Sequence, residues 1–179
     1  MANITLILGG ARSGKSALAT RLACESGKEV YYLATACAHD QEMTARIARH
    51  QQERPAQWQT IETPRALAQT ILAEAAPARL LLVDCLTLWL CNLLHDDGAN
   101  PTAVSEQQLL QARQELVTAL QQAPGELILV ANEVGLGIIP MGELSRQFAD
   151  EAGRLNQAIA AAAHRVLFVA AGLPLTLKG

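Results

Sequence analysis

Gly9-Gly10-Ala11-Arg12-Ser13-Gly14-Lys15-Ser16 is the stretch on which the fold turns. It is an intact G-x-x-x-x-G-K-S pattern, and its surroundings are those the pattern needs: an apolar strand-like run, Asn3 to Leu8, before it and a helical pattern, Lys15 to Ser26, after it. Glycines at both ends let the backbone curl so that successive N–H groups point inward at phosphate oxygens. The helix N-terminus that follows adds its partial positive charge. The spacing predicts that Lys15 reaches the β and γ phosphates of a nucleotide and that the Ser16 hydroxyl holds Mg²⁺.

Outward from that loop, strand-like and helix-like runs alternate to the end of the chain. Strands are expected at Glu29 to Thr35, Leu80 to Asp84, Glu126 to Ala131, Arg165 to Ala170 and Pro174 to Lys178, with Gln57 to Pro64 extended. Helices are expected at about Gln41 to Glu53, Pro64 to Glu74, Pro101 to Gln122 and Ser145 to Ala163, with His95 to Thr102 as a surface loop. Strand-helix alternation requires crossover connections, so the fold class is α/β, a mostly parallel sheet with helices on both faces. Residues 1–179 read as one domain, since no linker, repeat or low-complexity stretch divides them.

A phosphate loop calls for an acid to hold the metal, because phosphoryl transfer uses the ion to neutralise developing charge. Leu80-Leu81-Leu82-Val83-Asp84 supplies one: four aliphatic residues drive a strand into the core and deliver Asp84 at its C-terminal end, where open α/β sheets bind ligands. A carboxylate that caps a loop or pairs with a lysine is the plainer alternative. The segment from Asp40 to Pro55 is the least ordinary. Met43 and Ile47 mark an apolar stripe, and His50 and Arg54 fall near it at 3.6 residues per turn. His50 is either a satisfied core histidine or, with Arg46, Arg49 and Arg54 gathering positive charge around it, a neutral nucleophile beside a phosphorus centre. His39, His95 and His164 have no partner at ligand spacing and read as solvated. Trp58 reads as a packing residue, and Glu62 either caps the following helix or touches the nucleotide. Asn132 and Glu133 reach the same sheet edge as Asp84, in a run bent by Gly135, Gly137 and Pro140, where a second substrate is expected to sit.

Composition removes several function classes. With 179 residues, half of them hydrophobic, and a net charge of −3, the chain can fill a core but offers no basic footprint for nucleic acid or an anionic membrane surface. The longest apolar run, Leu80 to Leu94, is broken by Asp84 and short of a membrane span, so no membrane insertion is expected. The opening run lacks a basic n-region and leads straight into Gly9-Gly10, which points to the cytoplasm. Cys24, Cys37, Cys85 and Cys91 lack zinc or redox spacing and are expected to be small buried thiols.

These motifs together resemble the adenosylcobinamide kinase/adenosylcobinamide-phosphate guanylyltransferase family: residues 9 to 16, the Ala34-Thr35-Ala36 strand end, Arg46-Ile47, His50-x-x-x-Arg54-Pro55, Asn132-Glu133-Val134-Gly135-x-Gly137-Ile138-x-Pro140 and Gly153-Arg154-x-Asn156-Gln157. The resemblance spans nearly the whole chain. It implies a RecA-like P-loop NTPase fold and two reactions of cobalamin nucleotide-loop assembly. In the first, a nucleoside triphosphate, ATP or GTP, phosphorylates the aminopropanol hydroxyl of adenosylcobinamide. In the second, a histidine attacks the α-phosphorus of GTP, releases pyrophosphate and passes GMP to the new phosphate. By the resemblance that histidine is His50, with Lys15 catalytic beside it. Nucleotide contacts carry over to Gly9, Gly10, Ala11, Arg12, Ser13, Gly14, Lys15, Ser16, Ala34, Thr35, Ala36, Gln51, Gln52, Glu53, Arg54, Glu62 and Asp84, and Mg²⁺ to Ser16 and Asp84. The partners implied are a corrinoid substrate, GTP or ATP, and further copies of the chain, as a trimer. Two Trp, two Tyr and two Phe leave little stacking surface for a macrocycle within one subunit, which agrees with a site shared between copies.

Two rivals share the phosphate loop: a small-metabolite kinase without a covalent step, and a RecA-like regulatory module acting through partners. A guanylylated histidine separates the first, and nucleotide turnover dependent on cobinamide the second.

Overall fold

The computed structural model describes residues 2–38, 41–52, 54–94 and 104–179, apart from the side chains of Met43, Arg46, Arg49 and His50. In chain order the elements are β1 (Asn3–Gly9), α1 (Lys15–Glu25), β2 (Glu29–Ala34), α2 (Gln41–Gln52), β3 (Gln59–Glu62), α3 (Leu67–Glu74) and β4 (Arg79–Asp84). They continue as α4 (Leu86–Leu94), α5 (Glu106–Gln122), β5 (Glu126–Asn132), α6 (Glu143–Ala162), β6 (Arg165–Ala170) and β7 (Leu173–Lys178). The strands form one sheet in the order β3-β2-β4-β5-β1-β6-β7. Every pair is parallel except β6 with β7, which turn back on each other through Ala171 and Gly172.

Period-two alternation within the strands divides the core. Ile4, Leu6, Leu33, Leu81, Val83, Leu127 and Leu129 pack on one face against α3, α4, α5 and α6, while Ile7, Val30, Leu80, Leu82, Ile128 and Val130 pack on the other against α1. Both faces are covered, which is why these strands read as nearly unbroken aliphatic runs. The approach of β5 is close enough to demand glycine. Gly125 has φ +87°, and a Cβ there would lie 2.2 Å from the Ala76 carbonyl oxygen.

The structure revises several expectations. The fourth helix, Leu86–Leu94, was not foreseen: its nine residues are apolar almost throughout, so they carry no polar stripe to reveal a helical period. The next helix starts at Glu106 instead of Pro101. Ser105 stops it with a capping box, its hydroxyl accepting from Gln108 N–H while the Gln108 side chain accepts from Ser105 N–H. The third helix begins at Leu67, after the irregular residues 63–66, instead of Pro64. Of the cysteines only Cys85 is buried; Cys24 and Cys91 are exposed and Cys37 lies between. His164 is exposed but not merely solvated, because its Nδ1 accepts from the Ile4 N–H at 3.2 Å. His39, His95 and Glu53 lie outside the described residues, as does the 95–103 segment in which a loop was expected.

Candidate functional site

The parallel register assembles the site. Gly9 pairs with Asn132, Asp84 with Val130, and Ala34 with both Asp84 and Glu62, so the C-terminal ends of five strands come to one edge of the sheet. There a cavity opens to solvent. It is lined by Ala11, Arg12, Lys15 and Ser16 from the loop and α1, and by Tyr32, Ala34 and Ala36 from β2 and its continuation. Ile47, Gln51 and Arg54 come from α2 and beyond, Glu62 from β3, Asp84, Cys85 and Leu88 from β4 and α4, and Asn132 from β5.

The loop between β1 and α1 curls as its glycines predict. Gly14 takes φ +98° at the N-cap of α1, and Arg12 takes φ +55°. The Ser13 carbonyl accepts from Gly172 N–H at 2.8 Å, and the Gly9 carbonyl from Glu133 N–H at 3.0 Å, which ties the loop to the β6-β7 turn and to the end of β5. Gly9 has no room for a side chain: a Cβ would sit 2.5 Å from both Ser13 Oγ and the Val169 carbonyl oxygen. Lys15 is 8% exposed, and its Nζ donates to the Gly10 carbonyl at 3.0 Å, the ammonium folded back over the loop it closes. The Ser13 hydroxyl is buried without a hydrogen-bond partner among the described residues.

Behind the wall a buried network fixes the Asp84 end of β4. Thr35 Oγ1 donates to the Cys85 carbonyl at 2.7 Å and accepts from Cys85 N–H at 2.8 Å, while Asn92 Nδ2 donates to the carbonyls of Thr35 and Pro64. Thr35 is therefore a buried brace and not part of the cavity lining. Burial, with the Asp84 charge second, pushes the Cys85 thiol up to about 12, so a sulfur that lines the cavity stays protonated and is no nucleophile at neutral pH.

Of the residues singled out from sequence, Ala11, Arg12, Lys15, Ser16, Ala34, Ala36, Gln51, Arg54, Glu62 and Asp84 share the cavity. Gly9, Gly10, Ser13 and Gly14 shape the loop behind it, and Gln52 is exposed at the end of α2. Glu62 is not a helix cap, since α3 starts five residues later at Leu67 with Ala66 as its N-cap, which makes no side-chain cap bond. Asn132 lines the cavity, whereas Glu133 turns its carboxylate onto Gly135 N–H at 2.7 Å. His50 belongs to the last turn of α2, and its side chain lies outside the described residues.

Tyr32 is the site residue that sequence reasoning missed. Its hydroxyl donates to Asp84 Oδ2 at 3.0 Å, the Arg54 guanidinium lies 3.6 Å from its ring centroid, and its ring stacks with Trp58 at 6.5 Å. Burial first, then the Asp84 charge, raise the phenol above its ordinary range. A tyrosine in a strand has no local signal for this role, because both partners come from other elements.

Comparison with known proteins places the chain. A family model described as cobinamide kinase / cobinamide phosphate guanyltransferase, CobU, matches residues 5–177. The chain is 58% identical over 174 residues to the bifunctional adenosylcobalamin biosynthesis protein CobP of Pseudomonas aeruginosa, covering 97% of this chain and 96% of that one. It is 41% identical over 179 residues to the protein named CobU in Escherichia coli, covering 97% and 98% respectively. Among solved structures it resembles the RadB recombinase (TM-score 0.50, 16% identity, 92% of this chain and 73% of that one) and an ATPase of a type III secretion system (TM-score 0.54, 11% identity, 97% and 56%). The fold is thus that of RecA-like P-loop NTPases.

Proposed function

The chain belongs to the cobinamide kinase / cobinamide phosphate guanyltransferase family, and from that premise we propose how its residues divide the work of a bifunctional enzyme of cobalamin biosynthesis. Residues 1–179 act as one nucleotide-binding domain with a single phosphate cradle serving both steps. In the kinase step the cradle holds ATP or GTP while the hydroxyl oxygen of cobinamide attacks the γ-phosphorus and the nucleoside diphosphate leaves. In the guanylyl step a His50 ring nitrogen attacks the α-phosphorus of GTP, the bond to pyrophosphate breaks, and GMP then passes to the cobinamide phosphate, which frees the histidine.

What supports one shared cradle is that Lys15, Ser16, Arg12, Arg54, Glu62 and Asp84 face a single cavity. Lys15 and the loop N–H groups stabilise the triphosphate in the first step and the departing pyrophosphate in the second. Arg54 adds a fork suited to phosphate, and its buried Nε–H has no hydrogen-bond partner among the described residues. Asp84 and Ser16 suit Mg²⁺: both offer hard oxygen ligands, and this ion takes few protein ligands because substrate phosphates and water complete its shell. Bound there, the ion would neutralise charge on the phosphate oxygens. The exposed run of Leu136, Ile138, Ile139 and Met141 supports an oligomer in which another surface covers this loop.

Trapping the intermediate tests the assignment. Incubation with GTP labelled at the α-phosphate should leave acid-labile, base-stable label on the protein, and His50→Ala should lose that label while phosphorylation of cobinamide stays largely intact. Label retained in the variant, or both activities lost from a folded variant, refutes the role of His50.

A further inference from the structure

We propose that Tyr32 is a positioning residue that holds the metal-side carboxylate and the phosphate-side guanidinium of this site in one arrangement. The inference rests on the reading of Asp84 as the acid that carries the cation. Tyr32 is 5% exposed, on the strand next to the β3 edge of the sheet, and makes two different contacts. Its O–H donates to Asp84 Oδ2 at 3.0 Å, across the β2-β4 pair. Its ring face meets the Arg54 guanidinium at 3.6 Å, with Trp58 stacked at an interplanar angle of 26°.

Each contact has a separate physical consequence. A carboxylate that accepts a fixed hydrogen bond is held in one rotamer, and partners of this kind are usually worth 10- to 100-fold in metal affinity. A guanidinium stacked on an aromatic face is held in place by the ring and can turn its outer N–H edge to an anion. Arg54 matches this: NH1 reaches Thr60 Oγ1 only at 3.4 Å, and Nε is buried without a hydrogen-bond partner among the described residues. Arg54 also stands just past the last turn of α2, the turn that includes His50, whereas Gln41, Glu42, Thr44, Ala45, Ala48, Gln51 and Gln52 of that helix are exposed. The stack on Tyr32 therefore ties the residue just past α2 to the sheet.

The two contacts separate by substitution. Tyr32→Phe removes only the hydroxyl, and Tyr32→Leu removes the ring as well. With Mn²⁺ as a paramagnetic probe and a non-hydrolysable GTP analogue, electron paramagnetic resonance should show the Phe variant binding the ion about 10-fold more weakly. Its metal-free affinity for the analogue, read by titration calorimetry in EDTA, should stay within about twofold of wild type. The Leu variant should lose about 5- to 10-fold in that metal-free affinity as well, and excess Mn²⁺ should rescue the Phe variant but not the Leu variant. Unchanged Mn²⁺ affinity in Tyr32→Phe, with Asp84→Asn weakening it, overturns the role of Tyr32 alone. Unchanged affinity in Asp84→Asn overturns the underlying reading of the acid. Equal loss of metal-free affinity in the Phe and Leu variants, with matching urea midpoints, overturns the stacking contact.

Discussion

Replacing Thr35 with valine preserves the shape of a fully buried side chain and removes one oxygen. That oxygen makes two hydrogen bonds to Cys85, donating to its carbonyl at 2.7 Å and accepting from its N–H at 2.8 Å. The carbonyl keeps a second partner, the Trp89 N–H at 3.2 Å, so it is not orphaned. The Cys85 N–H loses its partner in a site that valine closes to water. An orphaned buried donor costs about 1–3 kcal/mol and the other lost bond about 0.5–1.5, so the variant should be about 1.5–4.5 kcal/mol less stable. Native proteins are stable by about 5–15 kcal/mol, so the variant is expected to fold with a reduced margin. Urea unfolding followed by far-ultraviolet circular dichroism should show a lower midpoint with an unchanged slope. Thr35→Ser, which keeps the hydroxyl, should retain all but about 1 kcal/mol. Because Cys85 adjoins Asp84, both phosphoryl and guanylyl transfer should slow in the valine variant and recover in the serine variant. A valine variant within about 0.5 kcal/mol of wild type would falsify the brace.

Two further outcomes follow from the same geometry. Lys15→Ala removes the cation that closes the loop, and kcat/KM for both reactions should fall by about 100-fold or more, roughly 3 kcal/mol of transition-state stabilisation; a wild-type rate in either reaction refutes a shared cradle. Tyr32 has a folded-state pKa raised above its ordinary 10.0, so the stability it confers is complete below pH 10 and declines as pH rises beyond it. Between pH 8 and 11 the wild type should lose urea stability relative to Tyr32→Phe, and a pH-independent difference between the two counts against the burial of the Tyr32 phenol, the larger cause of the shift, with the Asp84 charge second.

Sequence alone determined what neighbouring residues settle among themselves. The curl of residues 9–16 needs glycine at two fixed places and a helix directly after, so the cradle was legible, as was Asp84 at the end of four aliphatic residues. The parallel sheet followed from unbroken apolar strands alternating with helices, and the family followed from motifs spread over most of the chain. Helix ends were less legible. The start of α5 depends on a two-residue capping box, and α4 lacks the polar face that would mark its period.

Tertiary structure decided which groups meet. Tyr32 and Asp84 are 52 residues apart and Thr35 and Cys85 50 apart, and each pair forms because β2 and β4 lie side by side in one register. A shift of one residue would turn Tyr32 to the opposite face of the sheet. That register is set by packing on both faces of the sheet by residues from the whole chain, so no local stretch encodes it. The same argument explains Thr35, whose hydroxyl is consumed by Cys85 just past the neighbouring strand, and Tyr32, whose site contacts come entirely from residues distant in sequence.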